Sequence, residues 1–147
     1  MMALVDRALA LNPSYARGWQ VSGMLRIYAG QPNIAIERVE IALRLSPRER
    51  VGPSRGVIGM AHLLSRRFDQ AVPQLLLAIQ DQPRLAQAYR ILAACHAHMG
   101  RLDEARAVIE RLRAITPVVI ADNIPLRNPE HRELFLSGLR MAAGAAT

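Results

Sequence analysis

Prolines stand at residues 13, 47, 83 and 117, spaced 34, 36 and 34 residues apart. Each follows an amphipathic stretch, where a residue with no N–H and a fixed φ stops a helix. Other columns keep the same register. Ala8, Ala42, Ala78 and Leu112 lie five residues before the prolines, and Ala35, Ala71 and Ala105 lie twelve before. Gly23, Gly59 and Ala93 form a third column, and Trp19, Arg55 and Tyr89 a fourth. A period of this length constrains the fold more than any single residue does. It marks a stack of small helical units, none of which can bury its apolar face alone.

Hydrophobic spacing predicts helices over 2–11, 15–29, 33–45, 53–65, 68–81, 85–98 and 102–115. A last helix is predicted over about 129–142, because Asn128-Pro129-Glu130 supplies an N-cap, a first-turn proline and a carboxylate in the first turn. Short turns are expected at Ala29-Gly30-Gln31, Ser65-Arg66-Arg67 and Met99-Gly100-Arg101. The small residues let paired helices approach closely. Trp19 and Tyr89 fill the space between them, with Val39, Leu75 and Ile109 from the second helices. Residues 117–127 read as an irregular connection with a short helical turn. Leu134, Phe135, Leu139 and Met141 or Ala142 then cover the open end of the third unit.

The order of large residue, small residue, turn, alanine and proline resembles the tetratricopeptide repeat over residues 1–117. The resemblance implies an all-α, right-handed α-solenoid of helix-turn-helix repeats with a C-terminal capping helix. Residues 1–13 match the second helix of a truncated repeat. Residues 14–47, 48–83 and 84–117 match complete repeats, and 118–147 form a linker and the capping helix, all in one domain.

Three departures carry expectations. The middle repeat is longer by two residues and has Arg55 in the aromatic column, so the junction "SPRERVGPSRG" should be the least regular. Pro73 should kink the helix over 68–81 or delay its start. Leu112 replaces a small residue where the next neighbour is a cap. The first helix carries Leu4, Val5, Ala8 and Leu11 on a face that lacks one covering surface. The chain therefore reads as the C-terminal piece of a longer protein, and a dimer through this helix is one expected arrangement.

Composition narrows the chemistry. The chain has 147 residues and a net charge of +7, and all 19 of its basic residues are arginine. Without lysine, neither a G-x-x-x-x-G-K phosphate loop nor a Schiff base can form. Cys95 is the single cysteine, so no internal disulfide exists, which fits a reducing, cytoplasmic compartment. No apolar run approaches the roughly 18 residues of a membrane span.

"GPSRG" at 52–56 matches the G-x-S-x-G nucleophile elbow, but a helix precedes it where the elbow needs a strand. It reads as an inter-repeat loop with Ser54 near a helix start. Cys95 and His98 could share a helix face, yet zinc needs three or four ligands and no second cluster exists. His62 and His96 occupy equivalent places in successive repeats. The expectation is Cys95 in the core, His96 in packing and His98 on the concave side, with no metal or cofactor. Nucleic-acid binding is a minor reading, since few aromatics are available for stacking.

In tetratricopeptide arrays the first helices line a concave groove. By that resemblance the first repeat presents Arg17, Gln20, Met24, Ile27 and Tyr28. The second presents Gly56, Met60, Leu63 and Leu64, and the third presents Gln87, Arg90, Ala94 and His98. A methionine-containing floor edged by arginines suits a protein or peptide segment that is acidic or amphipathic. The lysine and asparagine set of chaperone-binding members is lacking, so chaperone binding is not expected. The alternative is that the protein's own chain fills the groove.

"PEHRELFLSGLRMAAG", after "YRILAACHAHMGRLDEARA", also resembles the tail of certain bacterial class III adenylate or guanylate cyclases, over residues 84–144. That resemblance implies a regulatory or scaffolding tail, with the metal-binding aspartates and nucleotide site upstream. A stand-alone adaptor is the alternative. Charge reversal at Arg17 and Arg90 is expected to weaken a captured partner in a pull-down while circular dichroism shows unchanged helicity.

Overall fold

The computed structural model describes residues 2–48, 51–121 and 123–144. Among the described residues run eight α-helices: α1 (Met2–Leu11), α2 (Ala16–Tyr28), α3 (Pro32–Leu45), α4 (Gly52–Leu64), α5 (Phe68–Asp81), α6 (Ala86–His98), α7 (Leu102–Arg113) and α8 (Pro129–Ala143). Among the described residues there is no strand. No helix boundary departs from the periodicity reading by more than two residues. Three pairs, α2–α3, α4–α5 and α6–α7, stack in order, and each second helix packs on the first helix of the next pair. Residues 49 and 50, in the junction expected to be least regular, lie outside the described residues.

Each pair turns in the same way. Gly30 (φ 82°), Arg66 (φ 60°) and Gly100 (φ 77°) occupy the left-handed region. One residue later the N–H of Gln31, Arg67 and Arg101 reaches back to the carbonyl of Arg26, His62 and His96, each at 2.8 Å. These bonds satisfy carbonyls that the helix end would otherwise leave open.

Within the pairs the small-residue column sets the separation. A Cβ added at Gly23 would overlap Cγ2 of Val39, and one at Gly59 would come within 2.6 Å of the Leu75 side chain. The aromatic column has a polar anchor as well. Trp19 Nε1 donates to Pro13 O at 2.8 Å, and Tyr89 Oη donates to Pro83 O at 2.6 Å. Arg38 lies 5.5 Å from the Trp19 ring centroid and Arg111 lies 5.1 Å from that of Tyr89. In the middle pair the polarity is exchanged. Arg55 replaces the aromatic and donates to Gln74 Oε1 at 3.0 Å, and Gln74 holds the register position of Arg38.

Several expectations need correction. α5 starts at Phe68 despite Pro73, which lies inside it on the exposed side. The carbonyl that Pro73 leaves without an N–H belongs to exposed Asp69, where water can serve it. "GPSRG" is not a loop but the opening of α4, and Gly52 N donates to Asp81 Oδ2 at 2.8 Å. α1 docks on α2 through Leu9, and the face expected to lack one cover is largely open. Leu4 is 70% exposed and Leu11 83%. Asp6 ties α1 to the first pair, at 2.9 Å from Arg26 and 3.3 Å from Arg38.

α8 begins as the sequence indicated. Asn128 Oδ1 accepts from Glu130 N at 2.9 Å and His131 N at 3.3 Å, and Gly144 ends the helix in the left-handed region. Its position is different from a simple stack on the last repeat. α8 packs chiefly on α6, less on α7, and touches α4. Leu134, Phe135, Leu136 and Leu139 are buried there, at about 1.5–3 kcal/mol each. That makes α8 a fixed part of the core. Between α7 and α8 the described residues show an irregular path of bends and a turn.

Arg66 is the only non-glycine residue with positive φ among those described. Arg66→Gly should therefore raise stability by about 1 kcal/mol, because a Cβ is costly in this conformation. A shift of the urea midpoint to higher concentration would show it.

Candidate functional site

The first helices α2, α4 and α6 lie side by side, and their inner faces form the concave wall. α8 covers the C-terminal part of α6 and touches α4. The segment comprising the described residues of 118–121 and 123–128 runs along this wall, from α6 back to α2. At its start Arg90 holds two of its carbonyls: Nη2 donates to Val118 O at 2.6 Å and Nε to Val119 O at 3.0 Å. Nη1 completes the set on Gln87 Oε1 at 3.2 Å. At its far end Arg127 N donates to Tyr28 O at 3.0 Å, and buried Leu126 pins the chain to the core. Arg132 folds back from α8 to the carbonyls of Leu126 and Ile124.

Between this strap and the wall lies an open cavity of about 470 Å³. Met24, Ile27, Tyr28, Met60 and Ile91 form its apolar floor, and Ile124 and Phe135 close one side. Gln87 and Arg90 supply polar groups at its edge. Its volume falls in the range of small-ligand and side-chain pockets.

The groove residues expected from the sequence divide into three sets. Met24, Ile27, Tyr28, Gly56, Met60, Gln87 and Arg90 come together around this cavity. Arg17 and Gln20 line a separate, more polar hollow of about 610 Å³, with Arg48, Ser54 and Gln82. Leu63, Leu64 and Ala94 are buried, and His98 is mostly covered. His98 Nε2 donates to Leu134 O of α8 at 2.6 Å, so that nitrogen carries the proton. Its ring stacks on Phe68 with centroids 5.1 Å apart. Gly138 makes this approach feasible, because a Cβ there would come within 2.7 Å of the His98 ring.

Sequence reasoning left open that the chain itself fills the groove and placed Phe135 only in the cap, and it did not place Ile91 or Ile124 beside the cavity. One signal was present: "VVIADNI" holds five apolar residues in seven, which is unusual for a solvated loop.

Burial shapes the titratable groups. Desolvation pushes the Cys95 thiol up to about 12, so it is an inert core residue. Burial lowers the pKa of Arg90. His62 is lowered first by burial and then by the charge of Arg67, whose Nε donates to His62 Nδ1 at 3.0 Å. His96 is also lowered by burial, which outweighs Glu104. The Glu104 carboxylate sits 3.4 Å from His96 Nδ1 without making a hydrogen bond, and is itself largely exposed. Among the described residues no three His, Cys, Asp or Glu side chains cluster as metal ligands. No described helix is long and apolar enough to cross a membrane.

Residues 57–118 match the family model of the tetratricopeptide repeat. The fold is a tetratricopeptide α-solenoid. The crystal structure of MamA superposes with a TM-score of 0.71 at 21% identity, over 97% of this chain and 85% of that one. A thermophilic TPR protein of Thermus thermophilus gives 0.72 at 23% identity, over 97% and 73%. YrrB, described as a TPR protein with an unusual peptide-binding site, gives 0.63 at 23% identity, over 97% and 75%. At these identities the likeness is one of fold. No curated protein matches the chain in sequence.

The two histidines make stability pH-dependent. Their folded values lie below the ordinary imidazole value of about 6.5, so the unfolded chain takes up protons first. Their contribution is full above about pH 6.5 and is lost as pH falls toward the folded values. The urea midpoint should drop between about pH 7 and about pH 5.5, and H62Q/H96Q should flatten that drop.

Proposed function

We propose that this chain is a non-catalytic protein-interaction module that binds a segment of another protein in the cavity between α2, α4, α6 and the strap. The carrying observation is an apolar, methionine-containing hollow of about 470 Å³ that stays open to solvent on a fold built from stacked helix pairs. Methionine side chains adapt to varied apolar partners, and Gln87 and Arg90 add orienting groups at the edge. The tetratricopeptide match and the peptide-binding site described for YrrB support this reading.

The finer proposal is that the module is the regulatory or scaffolding tail of a bacterial nucleotide cyclase in a reducing, cytoplasmic setting. It is supported by the resemblance of residues 84–144 and by the single buried thiol. Reading the coding DNA upstream of Met1 tests it, since an in-frame stop there would remove the cyclase link.

Met24 is the apolar groove residue that reaches furthest into solvent, so it can be changed without opening the core. Met24→Arg should reduce capture of a bound partner at least about tenfold while helicity and thermal midpoint stay unchanged. Undiminished capture would move the binding surface away from this cavity.

A further inference from the structure

We infer that residues 118–121, with 123 and 124, act as an intramolecular occupant of the groove, and that a partner segment displaces them by bringing a carboxylate to Arg90. The inference rests on the cavity being a protein-binding site. It adds which part of the chain yields and what chemistry makes it yield.

The first support is how Arg90 is satisfied. Its guanidinium is partly buried and, among the described residues, bonded only to neutral oxygens, two strap carbonyls and the Gln87 amide. Among the described residues no carboxylate pairs with it. A carboxylate would accept two parallel N–H bonds with full charge assistance, which a pair of peptide carbonyls cannot match. The partial burial that lowers the pKa of Arg90 also reduces screening of such a pair.

The second support is a gradient of attachment along the C-terminal segment. Val118 is 51% exposed, and Val119, Ile120, Ala121 and Ile124 are only partly buried. Leu126 is buried, and so are Leu134, Phe135, Leu136 and Leu139 on α8. The strap can therefore leave Arg90 while everything from Leu126 onward stays docked. Pro125 stands at the boundary between the loosely and firmly held parts.

The third support is position. Ala121, Asn123 and Ile124 form one side of the cavity, so lifting the strap enlarges the binding space. An extended chain whose carbonyls accept from a first-helix arginine is also the placement an incoming peptide needs.

The test uses the full chain and two capped, fluorescein-labelled peptides. One copies the strap (residues 116–124) with D122N, TPVVIANNI, so that it carries no carboxylate, and the other is the same copy with V118E added. Anisotropy should show the glutamate peptide binding at least about tenfold more tightly than the plain copy, with the difference abolished in Arg90→Ala. Hydrogen exchange of the unmutated chain should show strap amides speeding up on adding the glutamate peptide, while α8 amides stay slow. Equal binding of the two peptides, or a preference that survives Arg90→Ala, would overturn the inference. So would strap exchange that is unmoved by bound peptide, or that changes only together with α8. If Arg90→Ala does not fold, the exchange experiment on the unmutated chain decides. A natural partner that still depends on Met24 while the strap stays put would leave the binding site standing and remove only the displacement.

Discussion

Close approach within each helix pair is the constraint on which the remaining structure depends. At Gly23 and Gly59 the second helix lies so near that a single methyl group would collide with Val39 or Leu75. Glycine inside a helix costs about 1 kcal/mol against alanine. Forcing an extra carbon into a packed contact costs about 1–3 kcal/mol. The second figure exceeds the first, which explains why a poor helix former occupies these positions. Ala35 and Ala71, fully buried on the facing helices, complete the same contact. Because the pairs are thin, the first helices form a continuous wall, and the concave face follows from that.

The wall then meets the C-terminal segment. A regular stack would place α8 beside α7, but α8 lies mainly against α6 and reaches α4. Gly138 against His98, the His98–Leu134 hydrogen bond and the burial of Phe135 hold it on the concave side. Reaching that position requires the chain to cross the groove, and Arg90 and Tyr28 receive it at the two ends. The cavity is thus a joint product of the repeats and of the segment that follows them. Its floor comes from the repeat helices, and its far side comes from Ile124 and Phe135.

Much of the fold was legible because the repeat presents one physical problem three times. Proline and glycine mark the helix ends and turns, and the structure places the left-handed residues Gly30, Arg66 and Gly100 where the turns were read. The α8 cap was equally legible, since Asn128 and Pro129 act through local geometry. Pro73 was expected to kink α5 or delay its start, and the start is not delayed, because an exposed carbonyl one turn earlier leaves nothing buried to lose. Only docking on α2 singles out Leu9.

The groove was only half legible. Periodicity and the family resemblance placed Met24, Tyr28, Met60, Gln87 and Arg90 on the inner side of the first helices, and these residues do surround the cavity. They could not show that Leu63, Leu64 and Ala94 are buried and His98 mostly covered, because helical spacing assigns a face without saying what packs against it. Nor could they show that Arg90 is already engaged by the strap. Sequence alone determined the helices, turns and stacking order, since these depend on residues near one another along the chain. Tertiary structure alone decided where α8 rests and what remains open beneath the strap. Those features depend on contacts between residues about thirty to a hundred positions apart, such as Arg90 with Val119 and Arg127 with Tyr28, which no local pattern encodes.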